Sequence, residues 1–364
     1  MNDSLGSKWS RAAGTALPAV ARSARTLTAS FTLTLAATLT LALTACGGGG
    51  GGGGGAVADP APPPVAVVSS LGDFPDPFVF ADGRGGWLAV ATNSGNRNVQ
   101  MARSANLQSW QSMPDAMPQR ASWTANLPGL VWAPEVVALG GRWLMYYTAR
   151  DAASNRQCIG VAEAAQPEGP YVDPRSAPLV CQVAEGGSID PSPLQLGSEL
   201  FLYFKNDGNC CNRPTTLWGQ RLAADGLSVQ GQPVALLTTA AAWEGAVIEA
   251  PTMWSRQGQL HLFYSGGDYL SSAYAAGHAL CNGPLGPCTR SGNGPILASR
   301  NDTKPPLIGP GHQALVQAGD QTWFAYHAWE VTAQGTRGSR RFMYLDRVDW
   351  SGPRPTVGGP TMVP

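Results

Sequence analysis

Five short runs rich in aromatic and β-branched residues recur along the chain: "GWLAVATN", "RWLMYYTAR", "ELFLYFKND", "QLHLFYSGG" and "QTWFAYHAW". Each follows Gly or Asp turn residues and is too short for a helix, so each predicts a β-strand. Helical periodicity is nearly absent, and the pattern predicts an all-β protein. Each run sits in a longer unit that opens on a proline or glycine beside a polar residue and a short apolar strand: "PDPFVF", "WAPEVVAL", "IDPSPLQL", "EAPTMW" and "GPGHQALV". With Pro77, Pro134, Pro191, Pro251 and His312 as the common point, the intervals are 57, 57, 60 and 61 residues. A unit of that length with about four strands fits a propeller blade. A two-sheet sandwich would not return to one phrase at such even spacing. The expectation is a five-bladed β-propeller over residues 69–364. The first strand of each blade should line the central axis, which would gather Asp76, Asp190 and Glu249 there as an active site.

The first part of the chain reads differently. Lys8, Arg11, Arg22 and Arg25 precede the apolar, Thr-rich run "LTASFTLTLAATLTLALTA", the layout of an export signal. The run ends at Leu43-Thr44-Ala45-Cys46, which resembles a bacterial lipobox with Cys46 as the lipidated residue. An ordinary secretory signal or a single membrane-spanning anchor is the alternative. Nine glycines and "AVADPAPPPVAVV" follow, a flexible stretch running into a stiffer one. Residues 1–45 are therefore expected to be a lipoprotein signal and 46–68 a tether. The protein would be exported and held by its lipid on the periplasmic or cell-surface face, and otherwise secreted.

Acidic and basic residues balance at 24 each, with no basic cluster in the folded part, so nucleic acid is not an expected partner. Six cysteines remain after Cys46, an even number in an exported chain, which points to disulfides. The preferred pairing is Cys158 with Cys181 and Cys281 with Cys288. That leaves the adjacent Cys210 and Cys211 as a vicinal bridge or as free thiols.

Asp76, Asp190 and Glu249 open the first, third and fourth repeats. Glycoside hydrolysis needs two carboxyl groups, one protonated to assist the leaving oxygen and one ionised, and a third acid nearby raises the donor's pKa by like-charge repulsion. The set "DP", "WAPEV", "IDPSP", "EAPT" and "GPGHQA", in this order and spacing over residues 71–350, resembles glycoside hydrolase family 43. The resemblance implies a five-bladed propeller that hydrolyses arabinose- or xylose-containing plant polysaccharides with inversion. By position it implies Asp76 as general base, Glu249 as general acid and Asp190 as the residue that tunes and orients it. Inversion would set the two reacting carboxyls roughly 6.5–9.5 Å apart. The expected activity is an exo-acting α-L-arabinofuranosidase working as a monomer. β-Xylosidase, endo-arabinanase or a non-catalytic sugar-binding propeller are the alternatives. Asp73 competes with Asp76 for the base and Glu244 with Glu249 for the acid, while Glu135 reads as a structural hydrogen bonder.

Phe74, Trp132 and Trp254 neighbour the carboxylates and are candidates for stacking on sugar rings. Asn206, beside Asp207 and the paired cysteines, is a candidate pocket residue, as is His327. His312 occupies the fifth repeat's axial position, where similar propellers place a histidine near a central cation. No cofactor is required by this reading, but a structural calcium held by His312 through water is expected as an option. The resemblance further implies a late arginine facing the acids, Arg341 or Arg347.

Overall fold

The structure is a computed structural model that describes residues 67–303 and 306–360. The expected signal, Cys46 and most of the tether lie outside the described residues. The last two tether residues, Val67–Val68, form strand β1, so the folded part starts at 67 rather than 69: their backbone completes the final sheet.

Blade 1 comprises β2 (Phe78–Ala81), β3 (Trp87–Ala91), β4 (Gln100–Ser104) and β5 (Gln111–Ser112). Blade 2 comprises β6 (Val131–Leu139), β7 (Arg142–Arg150) and β8 (Gln157–Ala164). It has three strands, not four; two isolated antiparallel bridges, Val172 to Glu163 and Val180 to Ile159, stand where a fourth would run. Blade 3 holds β9 (Ser188–Leu196), β10 (Glu199–Asn206), β11 (Thr216–Leu222) and β12 (Val229–Thr238). Blade 4 holds β13 (Ile248–Arg256), β14 (Gln259–Gly266), β15 (Ala275–Cys281) and β16 (Cys288–Arg290). Blade 5 holds β17 (Gly311–Ala318), β18 (Gln321–Val331) and β19 (Arg337–Asp349), closed by β1 and flanked by β20 (Thr356–Val357). Within the blades neighbouring strands are antiparallel, and β2, β6, β9, β13 and β17 touch in turn, with β17 meeting β2 to shut the ring.

Five apolar clusters fill the five spaces between blades. In β7, Leu144 and Tyr146 face the cluster shared with blade 3, and Met145 and Tyr147 face the one shared with blade 1. Both faces of a middle strand are buried, which is why these runs read as continuously apolar rather than alternating. Each such side chain contributes roughly 1.5–3 kcal/mol relative to exposure.

One non-glycine residue at each blade opening adopts a left-handed backbone: Asp76 (φ 55°), Ala133 (44°), Asp190 (56°), Ala250 (51°) and His312 (51°). In blades 2 to 5 this residue and the next together face a single residue of the neighbouring strand, a two-against-one bulge. The conformation costs on the order of 1–3 kcal/mol per residue, and the N–H it frees is taken by the preceding blade. Ala133 donates to Thr92 Oγ1 (2.8 Å), Asp190 to Thr148 Oγ1 (3.2 Å), Ala250 to Asp190 Oδ2 (3.0 Å), His312 to Ser265 Oγ (2.8 Å) and Asp76 to His327 Nδ1 (3.1 Å). The ring of hydrogen bonds corrects the expected register. Asp76, Asp190 and His312 are equivalent, whereas Glu249 stands one residue ahead of its blade's bulge.

Candidate active site

Where the five openings meet lies a cavity of about 360 Å³, large enough for a small ligand. Its carboxylates are Asp76, Asp190, Asp207 and Glu249, and its cations Arg150, Lys205 and Arg341. His312 and His327 sit among them, with Trp132, Tyr269 and Tyr274 supplying aromatic surface.

Asp76 is surrounded by donors. Thr92 Oγ1 donates to Oδ2 at 2.5 Å, while Oδ1 faces Arg341 Nη1 at 3.1 Å and His312 Nδ1 at 3.3 Å. Burial alone would raise its pKa, but Arg341 first, then His312 and His327, outweigh it and hold the carboxyl well below the usual range. The His327 ring is wholly buried, and burial with the nearby Arg341 pushes its pKa down to about 4. It is therefore neutral near pH 7, and Nδ1 is free to accept the Asp76 N–H. Arg341 in turn packs over Tyr269 and Trp329.

Across the cavity, both oxygens of Glu249 accept: Oε2 from Lys205 Nζ and Oε1 from the Tyr274 hydroxyl, each at 2.8 Å. Burial raises this carboxyl, but Lys205, by charge and hydrogen bond, and then Tyr274 outweigh it, so Glu249 is lowered. Lys205 has no exposed side-chain surface. Burial disfavours its charge, but Glu249 and Asp190 more than restore it, and it stays firmly protonated. Asp190 is pushed up to about 6, first by burial and then by Glu249. The Asp190–Glu249 pair therefore holds one proton until about pH 6 while Asp76 holds none. Tyr274 can lie this close because Gly311 is bare: a Cβ there would meet the tyrosine ring at 2.3 Å.

Of the expected residues, Asp76, Asp190, Glu249, Trp132, His312 and His327 reach the cavity. Phe74 does not. The left-handed turn at Asp76 sends Phe74 into the core between blades 5 and 1, where it is 2% exposed. Trp254 lies five residues beyond Glu249 along β13, roughly 16 Å from it, and packs between blades 4 and 5. Asn206 adjoins Lys205 and points to the other face; its amide is spent on Glu185 O, Pro214 O and the Thr216 N–H. None of these three lines the cavity.

The rival acids also resolve. Asp73 accepts the Arg341 N–H. Glu244 is fully buried, caps the N–H groups of Ala240 and Ala241 and pairs with Arg290. Glu135 bonds Ser192 between blades, its pKa raised well above normal by burial. The late arginine is Arg341; Arg347 lies over Trp323 instead. The cysteines pair as preferred, with Cys210–Cys211 as a vicinal bridge whose Cys210 lines the cavity. Sequence reasoning missed Lys205, Tyr274, Thr92, Arg150 and Tyr269.

Among the described residues no three His, Cys, Asp or Glu side chains gather as metal ligands, and His312 turns Nδ1 towards Asp76. No chemical step is assigned to a cation.

A ring of five blades around an axial cavity, with one carboxylate held ionised and a carboxyl pair sharing a proton, defines a scaffold for acid–base chemistry on a small polar substrate. Residues 67–353 match the glycosyl hydrolases family 43. The extracellular endo-alpha-(1->5)-L-arabinanase 1 of Bacillus subtilis (strain 168) is 26% identical over 271 residues, 70% of this chain and 80% of that protein. The extracellular exo-alpha-(1->5)-L-arabinofuranosidase of Streptomyces chartreusis is 25% identical over 270 residues, 70% of this chain and 79% of that protein. A crystal structure of a thermostable family-43 glycoside hydrolase superposes with a TM-score of 0.69 at 26% identity, covering 80% of this chain and 95% of that one. The chain belongs to glycosyl hydrolases family 43 and is a glycoside hydrolase.

Proposed function

We propose that the protein is an inverting, exo-acting glycosidase that removes α-L-arabinofuranosyl residues from plant arabinan or arabinoxylan. The observation that carries the acid–base assignment is the split in carboxyl environments: Asp76 is held ionised by Arg341 and His312, while the Asp190–Glu249 pair keeps a proton to about pH 6. Groups pushed apart in this way divide into base and acid. Asp76 takes a proton from the water that attacks the anomeric carbon. Glu249 delivers the pair's proton to the departing oxygen, and Asp190 is the charge beside it. The sugar class is supported by relatives named as arabinanase and arabinofuranosidase. Exo action is supported by the relative named as an extracellular exo-alpha-(1->5)-L-arabinofuranosidase.

A second reading exchanges Asp190 and Glu249, because Glu249 is lowered by Lys205 while Asp190 is raised. Leaving groups separate the two. The variant that lacks the true acid loses linear arabinan but keeps a dinitrophenyl arabinofuranoside, whose leaving group needs no proton. Wild type, Asp76→Ala, Asp190→Asn and Glu249→Gln are to be followed on linear arabinan, dinitrophenyl and nitrophenyl α-L-arabinofuranoside and nitrophenyl β-xyloside. Arabinose as sole product supports exo action and a ladder of oligosaccharides endo action. Turnover of the xyloside alone makes the protein a xylosidase, and no turnover of any substrate favours a binding propeller. Loss of about 10²-fold or more is expected for Asp76→Ala.

The same reading places the enzyme outside the cytoplasm as a monomer tethered through lipid on Cys46. Radiolabelled palmitate incorporation that survives Cys46→Ser would end the lipid assignment. A calcium ion at the axis would have His312 as its one protein ligand among the described residues; unchanged activity and Tm after dialysis against a chelator would remove it.

A further inference from the structure

Thr92, Thr148, Lys205, Ser265 and His327 occupy one position of the fold, on the second strand of each blade or just past it, opposite the residue that precedes the left-handed one. Four of them accept the N–H of the next blade's bulge. Lys205 cannot, because an ammonium group has no acceptor. The Ala250 N–H passes to the Asp190 carboxylate instead, and Lys205 reaches Glu249 Oε2 at 2.8 Å. The fold's own requirement at this position is a small acceptor, met by threonine in blades 1 and 2 and by serine in blade 4. A wholly buried lysine is costly unless paired, and nothing in the ring of hydrogen bonds calls for one.

We propose that Lys205 is a positioning residue of the hydrolysis: its ammonium holds the Glu249 carboxyl in place for the departing oxygen and sets the pH above which the enzyme stops working. The inference rests on Glu249 being the proton donor. The groups facing Glu249 are Lys205 from β10, Tyr274 from the segment before β15, Asp190 from β9 and His312 from β17; Lys205 also faces Asp207. Of these, the lysine gives the largest opposing influence on Glu249. A positive charge beside the pair favours its proton-free form, so the proton departs at a lower pH than it would beside a neutral side chain. Removing that charge moves the alkaline limb of activity upward.

Two variants test this. Lys205→Met keeps length without charge. Lys205→Thr installs the residue of blades 1 and 2 and restores an acceptor for the Ala250 N–H. On arabino-oligosaccharides both are expected to lose kcat by about tenfold or more. The alkaline limb of their kcat/KM profiles is expected to rise by about one pH unit or more. Lys205→Arg, which keeps the charge, should leave that limb near the wild-type position. An alkaline limb that stays put or falls in both neutral variants overturns the proposal. A second measurement needs no substrate: carboxyl NMR of the full chain labelled with ¹³C at glutamate, comparing Glu249 in wild type and Lys205→Met. A higher midpoint in the variant supports the proposal and an equal one overturns it. If wild type cleaves no arabinoside, the proposed function fails while this titration still decides the role of Lys205.

Discussion

One oxygen of Asp190 accepts the Ala250 N–H, and burial with the Glu249 charge pushes the whole carboxyl up to about 6. An asparagine there keeps an acceptor for the backbone but can hold neither the proton nor the charge. In Asp190→Asn the pair's proton has only Glu249 to sit on, and Glu249 is lowered by Lys205. Activity should fall, and the alkaline limb of the kcat/KM profile should shift downward, opposite in sign to removal of Lys205. A limb that does not move would leave Asp190 as a backbone acceptor alone. Asp76 and Asp190 were legible because a proline follows each and repeats at blade spacing. Lys205 was hidden because "FKND" reads as the frayed end of a strand. Yet Thr148, Lys205 and Ser265 each stand 14 residues after Pro134, Pro191 and Pro251. Counting the repeat through the second strand, and not only its opening, would have placed the lysine at the axis. Phe74 and Trp254 misled for another reason: nearness in sequence does not survive a left-handed turn or five residues of extended strand.

The inner and middle strands were readable because burial on both faces demands long apolar runs. Three short outer ones were not. β5, β16 and β20 are two or three residues long, and none is an apolar run. β1 was assigned to the tether because its composition continues "PPPVAVV", whereas its backbone pairs Val67 with Tyr344 and Val68 with Met343. Two rungs of ladder contribute about 1–2 kcal/mol. In a domain of this size, a chain beginning at Ser69 should melt about 2–3 °C below one beginning at Ala66. Differential scanning calorimetry of the two truncations checks this, and equal Tm values would show that blade 5 closes without the strand.

Five interblade cores, rather than one central core, carry the molecule, and the axis is left to polar groups. The disulfides add to this unequally. Cys158–Cys181 spans 23 residues, Cys281–Cys288 spans 7 and Cys210–Cys211 spans 1. In the chain-entropy account they contribute about 3, about 2 and under about 1 kcal/mol. Replacing each pair by alanine should lower Tm in that order. A larger drop for the vicinal pair would mean that its loop, not chain entropy, is what it stabilises. The ring also has a mechanical side. Its clasp, β1, is the first described strand of the chain, so anything attached upstream of Val67 pulls in series with it. Tension there is delivered to Met343 and Tyr344 on β19, two residues from Arg341, the cation that keeps Asp76 ionised. A pull on Val67 thus reaches the axial cavity through one strand, β19, which carries the arginine that faces Asp76.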